Sequence, residues 1–259
     1  MSDRGRLYRT EAIILKHSDM GEADRLLTVL TPYRGKLRLV AKGVRKPTSR
    51  KAGHLESLTR SQLLVARGRN LDLITQAEMI EPYVALRRDL WRLSHAYYVA
   101  ELVDGFSEEG SEAPRLYSLV CDALTWICEG DSLALAVRYF ELCLLGLAGY
   151  RPQLFHCVHC DAPLEPEANF FTAELGGALC PRCGDIEATA RPIALGALKV
   201  LRFMQTHEFA ECSALHLKDA THTALEQALQ GYLVHILERR LKSIEFLSLL
   251  RQDTASLTH

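Results

Sequence analysis

Short apolar segments bounded by turn residues fill the first eighty positions: LYRTEAIILKH (7–17), RLLTVLT (25–31), KLRLVAKGV (36–44), SLTRSQLLVAR (57–67) and LDLITQAEMI (71–80). The separators SDMGEAD, PYRG, RKPTSRKAG and GRN are rich in Gly, Pro, Ser, Asn and Asp, which end strands and build turns. Five strands are predicted. In 36–44 the two-residue alternation puts Leu37, Leu39 and Ala41 on one side and Lys36, Arg38, Val40 and Lys42 on the other, because successive strand side chains point to opposite faces. One face is therefore expected to be core and the other basic. Five antiparallel strands of this length fit a small barrel of the OB type, closed to protect its edges; an SH3-like barrel has the same pattern.

After residue 81 the period changes to three and four. Leu86, Leu90, Leu93, Tyr97, Ala100 and Val103 recur at helical steps, as do Leu116, Leu119, Ala123 and Ile127. The stretch GDSLALAVRYFELCLLGLAGYRP reads as one well-buried helix, with Asp131 or Ser132 as N-cap, Gly149 as the residue just past its end and Pro152 beyond. Leu225, Leu229, Tyr232 and Ile236 mark a later helix capped at Thr221 or Asp219, and DTASLTH is expected to fray. Trp91, Trp126 and most aromatics fall on these helices, where packing is their expected role.

The composition, 48% hydrophobic and 24% charged, is that of a folded globular protein. No apolar run reaches 18 residues and the first residues lack a secretory core, so a cytoplasmic protein without membrane association is expected. Formal net charge is −1, but it is unevenly spread. Residues 1–80 hold sixteen Lys and Arg against eight Asp and Glu. The segment RGKLRLVAKGVRKPTSRKAG (34–53) carries Arg34, Lys36, Arg38, Lys42, Arg45, Lys46, Arg50 and Lys51 without an acid. Such asymmetry points to a polyanionic partner for the first part. Only Tyr8 and Tyr33 could stack on bases within the first eighty residues, so charge is expected to outweigh stacking.

Two Cys-x-x-Cys pairs, Cys157/Cys160 and Cys180/Cys183, stand nineteen residues apart. This is the spacing of a four-cysteine zinc site. Four thiolates complete a tetrahedron around Zn2+ and leave no position for an activated water, so the ion is expected to be structural. His156 and His159 sit beside the cysteines of the first pair, but the symmetry of the doublets favours four sulfurs. Cys121, Cys128, Cys143 and Cys212 lack paired spacing and read as small buried hydrophobes. NFFTAELGGAL, between the pairs, reads as a hairpin turning at Gly-Gly. The expected architecture is α+β and multidomain: an OB-fold nucleic-acid-binding domain over 1–81, then an all-α domain over 82–259 with a zinc-binding insertion at about 154–190.

No phosphate-binding P-loop, dinucleotide fingerprint, zinc-protease helix, nucleophile elbow or deaminase motif occurs. No catalytic site is visible and no enzymatic activity is expected. An RNA-binding OB-fold module with a structural zinc site remains the alternative, since this fold accepts either nucleic acid.

The stretch YRTEAIILKHSDMGEADRLLTVLTPYRGKLRLVAKGVRKPTSR, with LFHCVHC, ALCPRCG and the late helices, resembles the bacterial recombination mediator family RecO. In that family's N-terminal signature an A-I-I-L strand leads to G-E-x-D-R-L-L-T-V-L-T, then G-K and A-K-G-V-R-K. The resemblance covers nearly the whole chain. It implies an OB-fold domain, a helical domain, binding of single- and double-stranded DNA, and strand annealing without ATP. It further implies partnership with RecR, recognition of the acidic C-terminal tail of single-stranded DNA-binding protein, and help in loading RecA downstream, in the cytoplasm at the nucleoid. The K-G-V-R-K segment maps onto Lys42, Gly43, Val44, Arg45 and Lys46, followed by Arg50 and Lys51. Not all members keep the four cysteines, which fits a stabilising role.

Overall fold

The computed structural model describes residues 6–256. The chain divides into two compact units: one runs up to Glu129 and resumes at Ser243, the other spans Gly130–Lys242.

In the first unit, β1 (Leu7–Met20), β2 (Asp24–Thr31), β3 (Gly35–Ala41), β4 (Arg60–Ala66) and β5 (Asp72–Glu81) close into a barrel in the order β1-β2-β3-β5-β4. β3 and β5 run parallel, pairing Leu39 with Asp72 and Val40 with Leu73, while the other pairs are antiparallel. This is a five-stranded OB-type barrel. Inward-facing Ala12, Ile14, Leu27, Val29, Leu39, Ala41, Leu63, Val65 and Ile74 form its core, with Leu55 from a 3-10 turn (Ala52–Leu55) added.

Two expectations change here. The strand expected to continue to Val44 stops at Ala41, because Gly43 adopts φ +65°, a left-handed conformation that glycine enters without strain. The Arg45 N–H then bonds the Ala23 carbonyl, and Val44 turns into the core. Nor is the outer face simply basic. Ile13 and Leu30 lie outside the inner cluster and yet are buried, since helices pack on β1 and β2, and Val40 of β3 is buried as well.

Those helices are α1 (Val84–Arg88), α2 (Leu90–Phe106) and α3 (Pro114–Glu129). Asp89, extended at φ −138°, separates the first two, and its carboxylate accepts the Trp91 and Arg92 N–H groups as an N-cap. That cap resets the helical phase. The single face expected through Leu86, Leu90, Leu93 and Tyr97 is therefore broken: Leu90 and Tyr97 are exposed, while Ala96, Tyr98, Val99 and Leu102 are buried. α3 buries Leu119, Ala123 and Ile127 as the spacing predicts. The last helix, α9 (Lys242–Ser256), returns to this unit, where Glu101 accepts the Ser243 N–H and hydroxyl. It carries the start of the tail expected to fray; 257–259 lie outside the described residues.

The second unit is built on α4 (Leu133–Leu147), whose N-cap is Ser132, accepting from the Leu135 N–H. Gly149, at φ +85°, follows its end as expected. The insertion comes next: β6 (Asn169–Thr172), β7 (Gly177–Leu179), the short α5 (Pro181–Gly184) and β8 (Arg191–Ile193). The sheet order is β7-β6-β8, so the expected hairpin has a third strand. Its turn spans Ala173–Gly176, and Gly177 already belongs to β7. α6 (Leu195–Thr206), α7 (Phe209–Ser213) and α8 (Asp219–Leu237) pack against α4. The N-cap of α8 is Lys218 rather than Thr221 or Asp219.

Candidate nucleic-acid interface and metal centre

The barrel does not treat the eight basic residues of 34–51 as one patch. Arg34 precedes β3 and Lys42 follows it, which puts them at opposite ends of a strand about 20 Å long. Lys36, between them, is committed to the interior of its unit. Its ammonium donates to the Asp104 carbonyl at 2.6 Å and lies 3.3 Å from that residue's carboxylate, which Lys16 also pairs at 2.6 Å. With 15% of its side chain exposed, Lys36 fastens β3 to α2. Burial would push the Asp104 carboxyl up, but Lys16 and Lys36 outweigh it and hold the acid below the usual aspartate range. Arg38 is exposed beside Thr28 in a cleft of about 260 Å³ that Lys16 and Asp104 also line.

Beyond Ala41 the chain forms a loop held by fixed contacts. The Gly43 N–H bonds the Asp24 carboxylate at 2.7 Å. Arg45 lies 3.3 Å from Asp19 and donates to the Gly21 carbonyl. Lys51 donates to the carbonyls of Ile74 and Lys42, and burial lowers its pKa, partly offset by Asp24. These anchors leave Lys42, Lys46 and Arg50 exposed, and among the described residues no ion pair engages their side chains. The loop thus presents free cations on a braced backbone, an arrangement suited to phosphates of any sequence.

At the insertion, the sulfurs of Cys157, Cys160, Cys180 and Cys183 all lie within 4.8 Å of one another, and Cys160 and Cys180 are 3.9 Å apart. Sulfurs at tetrahedral corners around a zinc, each roughly 2.3 Å from it, are separated by about 3.8 Å. The donor set fits the ion. Cys157 and Cys160 sit on a turn before β6, while Cys180 and Cys183 bracket the start of α5. Burial works against the Cys157 thiolate, but N–H groups of Cys160, Cys180 and His159 overcome it and bring its pKa to about 6. Burial and the neighbouring sulfurs push Cys183 the other way, since further thiolates so close require a cation. His156 turns to Asp161, 3.5 Å away. Cys212 is buried, and Cys121, Cys128 and Cys143 are partly so; burial raises all four thiols, Cys212 to about 11.

Tyr8 and the β4–β5 turn tied to it through Asp72 are not grouped with Arg34 by any pattern in the sequence. The Arg34 guanidinium lies 4.2 Å over the Tyr8 ring, and Arg67 and Arg69 flank Gly68 in the adjoining β4–β5 turn. The one local signal is the stretch RGRN (67–70), which sets two arginines in a turn.

No helix among the described residues is long and apolar enough to cross a membrane. Family profiles described as "Recombination protein O N terminal" and "Recombination protein O C terminal" match residues 1–83 and 87–245. The chain is 45% identical over 249 residues to a DNA repair protein RecO of Roseiflexus sp. (strain RS-1), covering 96% of this chain and 88% of that protein. It is 41% identical over 241 residues to the protein of that name in Desulforudis audaxviator, covering 93% and 96%. To that of Symbiobacterium thermophilum it is 34% identical over 249 residues, covering 95% and 98%.

Proposed function

The chain belongs to the recombination protein O family, and from that premise we propose that it is a non-enzymatic mediator of DNA repair and homologous recombination. It binds single- and double-stranded DNA and anneals complementary strands without ATP. With RecR it helps load RecA onto strands coated with single-stranded DNA-binding protein, whose acidic C-terminal tail it recognises. It works in the cytoplasm, at the nucleoid. By function the chain divides at residue 81: the OB-fold domain (1–81) grips DNA, and the helical domain (82–259) carries the insertion of about 154–190, ordered by one structural Zn2+ on Cys157, Cys160, Cys180 and Cys183.

The observation that carries this reading is the braced loop from Lys42 to Lys51, with Lys42, Lys46 and Arg50 exposed and unpaired among the described residues. Lysine and arginine displace counterions condensed on a polyanion, which favours binding at low salt without sequence preference. Two strands held on such a surface repel each other less, and annealing follows. Arg34 and Arg38 add to the field, whereas Arg45, paired with Asp19, Lys51, held by two carbonyls, and Lys36, buried against Asp104, add less.

The test is a fluorescence annealing assay with complementary oligonucleotides, bare or coated with single-stranded DNA-binding protein, across salt concentrations. Annealing should be fastest at low salt and need no nucleotide. An uncatalysed rate at low salt would overturn the proposal, as would a strong preference for matched RNA.

A further inference from the structure

The loop after β3 is not the barrel's only open cationic surface. Beside β3, where Asp72 pairs with Leu39, the Tyr8 phenol donates to the Asp72 carboxylate at 2.8 Å, and a second Asp72 oxygen accepts the Gly68 N–H at 3.0 Å. This fixes the Tyr8 ring, over which the Arg34 guanidinium rests. Burial and Asp72 push the phenol up, while Arg34 and Arg67 both pull it back, so two guanidinium groups act on one ring. A Cβ on Gly68 would meet the Leu71 carbonyl oxygen at 1.9 Å. The tight turn therefore requires glycine, and it holds exposed Arg67 and Arg69 on either side. Tyr33, next to Arg34, is 70% exposed.

The two surfaces differ in chemistry. Residues 42–51 offer three lysines and two arginines with no aromatic ring. The group around Tyr8 offers three arginines and two tyrosines with no lysine. Lysine is a hydrated point charge, whereas a planar guanidinium stacks on flat rings. Bases expose such faces only when unpaired.

We propose that exposed Tyr33 and the Arg34 guanidinium seated on Tyr8, with the Arg67–Arg69 turn, form a stacking site for the unpaired bases of single-stranded DNA, distinct from the phosphate-gripping loop that follows β3. The inference rests on the DNA-binding reading above and deepens it. One strand is held by its bases at the first site while a second is gathered by its phosphates at the other.

The test compares the full-length protein's affinity for labelled oligo(dT) and for an abasic oligonucleotide of equal length, by anisotropy over a salt series. Stacking on even one ring predicts at least about a fivefold preference for oligo(dT). Tyr33→Ala and Arg34→Lys, the second retaining charge, should each reduce that preference severalfold without altering the salt slope, and Tyr33→Phe should restore it. The loop variant Lys42→Ala/Lys46→Ala/Arg50→Ala should weaken both ligands alike and keep the preference. Equal affinity of the wild type for the two oligonucleotides, or an unchanged preference in Tyr33→Ala and Arg34→Lys, overturns the stacking site. So does loss of poly-glutamate binding alone in the Arg34 variant, which would make the surface a dock for acidic peptide. An unaltered salt slope in the loop variant would instead strike the phosphate-binding loop, so the two failures are distinguishable.

Discussion

Replacing Lys42, Lys46 and Arg50 together with alanine removes three exposed cations that no ion pair engages among the described residues, and leaves the hydrogen bonds bracing the loop intact. The fold should be undisturbed. Each cation that neutralises a phosphate adds about 0.9 to the steepness of log affinity against log salt on duplex DNA, so the triple variant should be shallower by about 2.7. Over a fourfold rise in salt the wild type then loses roughly 40-fold more affinity than the variant. Fluorescence anisotropy with a labelled duplex of unrelated sequence, over roughly 50 to 200 mM salt, measures this directly. Lys36→Ala is the internal contrast: that lysine is largely buried and held by the Asp104 carbonyl and carboxylate, so its removal should leave the slope nearly unchanged and lower stability instead. If the triple variant keeps the wild-type slope, or Lys36→Ala flattens it as much, the assignment of free and committed cations is wrong.

Other consequences concern stability and the metal. Asp104→Asn should cost about 1–2 kcal/mol in urea unfolding, between the limits for exposed and buried pairs. The Asp104 pKa is lowered on folding, so its contribution is present above the unfolded value, about pH 4, and is lost as pH falls through the folded value. Acid titration of the variant should show a shallower loss over that window. Purified protein should hold one Zn2+ per chain with four sulfur ligands by X-ray absorption, and Cys180→Ser or a chelator should remove it and speed amide exchange over 154–190; a nitrogen or water ligand would contradict the four-cysteine assignment. On α4, Arg138 lies 2.9 Å from Glu141 with side chains 5% and 0% exposed. Arg138→Met should cost roughly 3 kcal/mol or more by leaving the buried carboxylate without that cation, and Arg138→Met/Glu141→Leu should recover most of it.

Much of the architecture was legible in the order of residues. Short apolar segments ended by turn residues announced the five strands, and the four cysteines were found because metal-ligand spacing is a local property of turns. Ser132 and Gly149 mark the ends of α4 for the same reason: a cap bonds groups within one helical turn. Errors began where phase or direction depends on a single residue. Asp89 interrupts what reads as one continuous helix face, and Gly43 turns the chain out of a strand whose alternation runs on past it.

The amino-acid order by itself therefore determined the five barrel strands, the core side of β3, the four-cysteine group and the excess of positive charge near the start of the chain. Only the tertiary structure decided which of those charges are left exposed and which are held by partners. Lys36 is as basic as Lys46 in sequence, but Asp104, 68 residues away, holds it inside its unit; and Arg34 and Tyr8, apart in sequence, become stacked partners through barrel closure. Electrostatic and stacking partners are chosen by distances of a few ångströms in space, and a barrel that pairs its first strand with its fourth sets those distances between residues no local pattern connects.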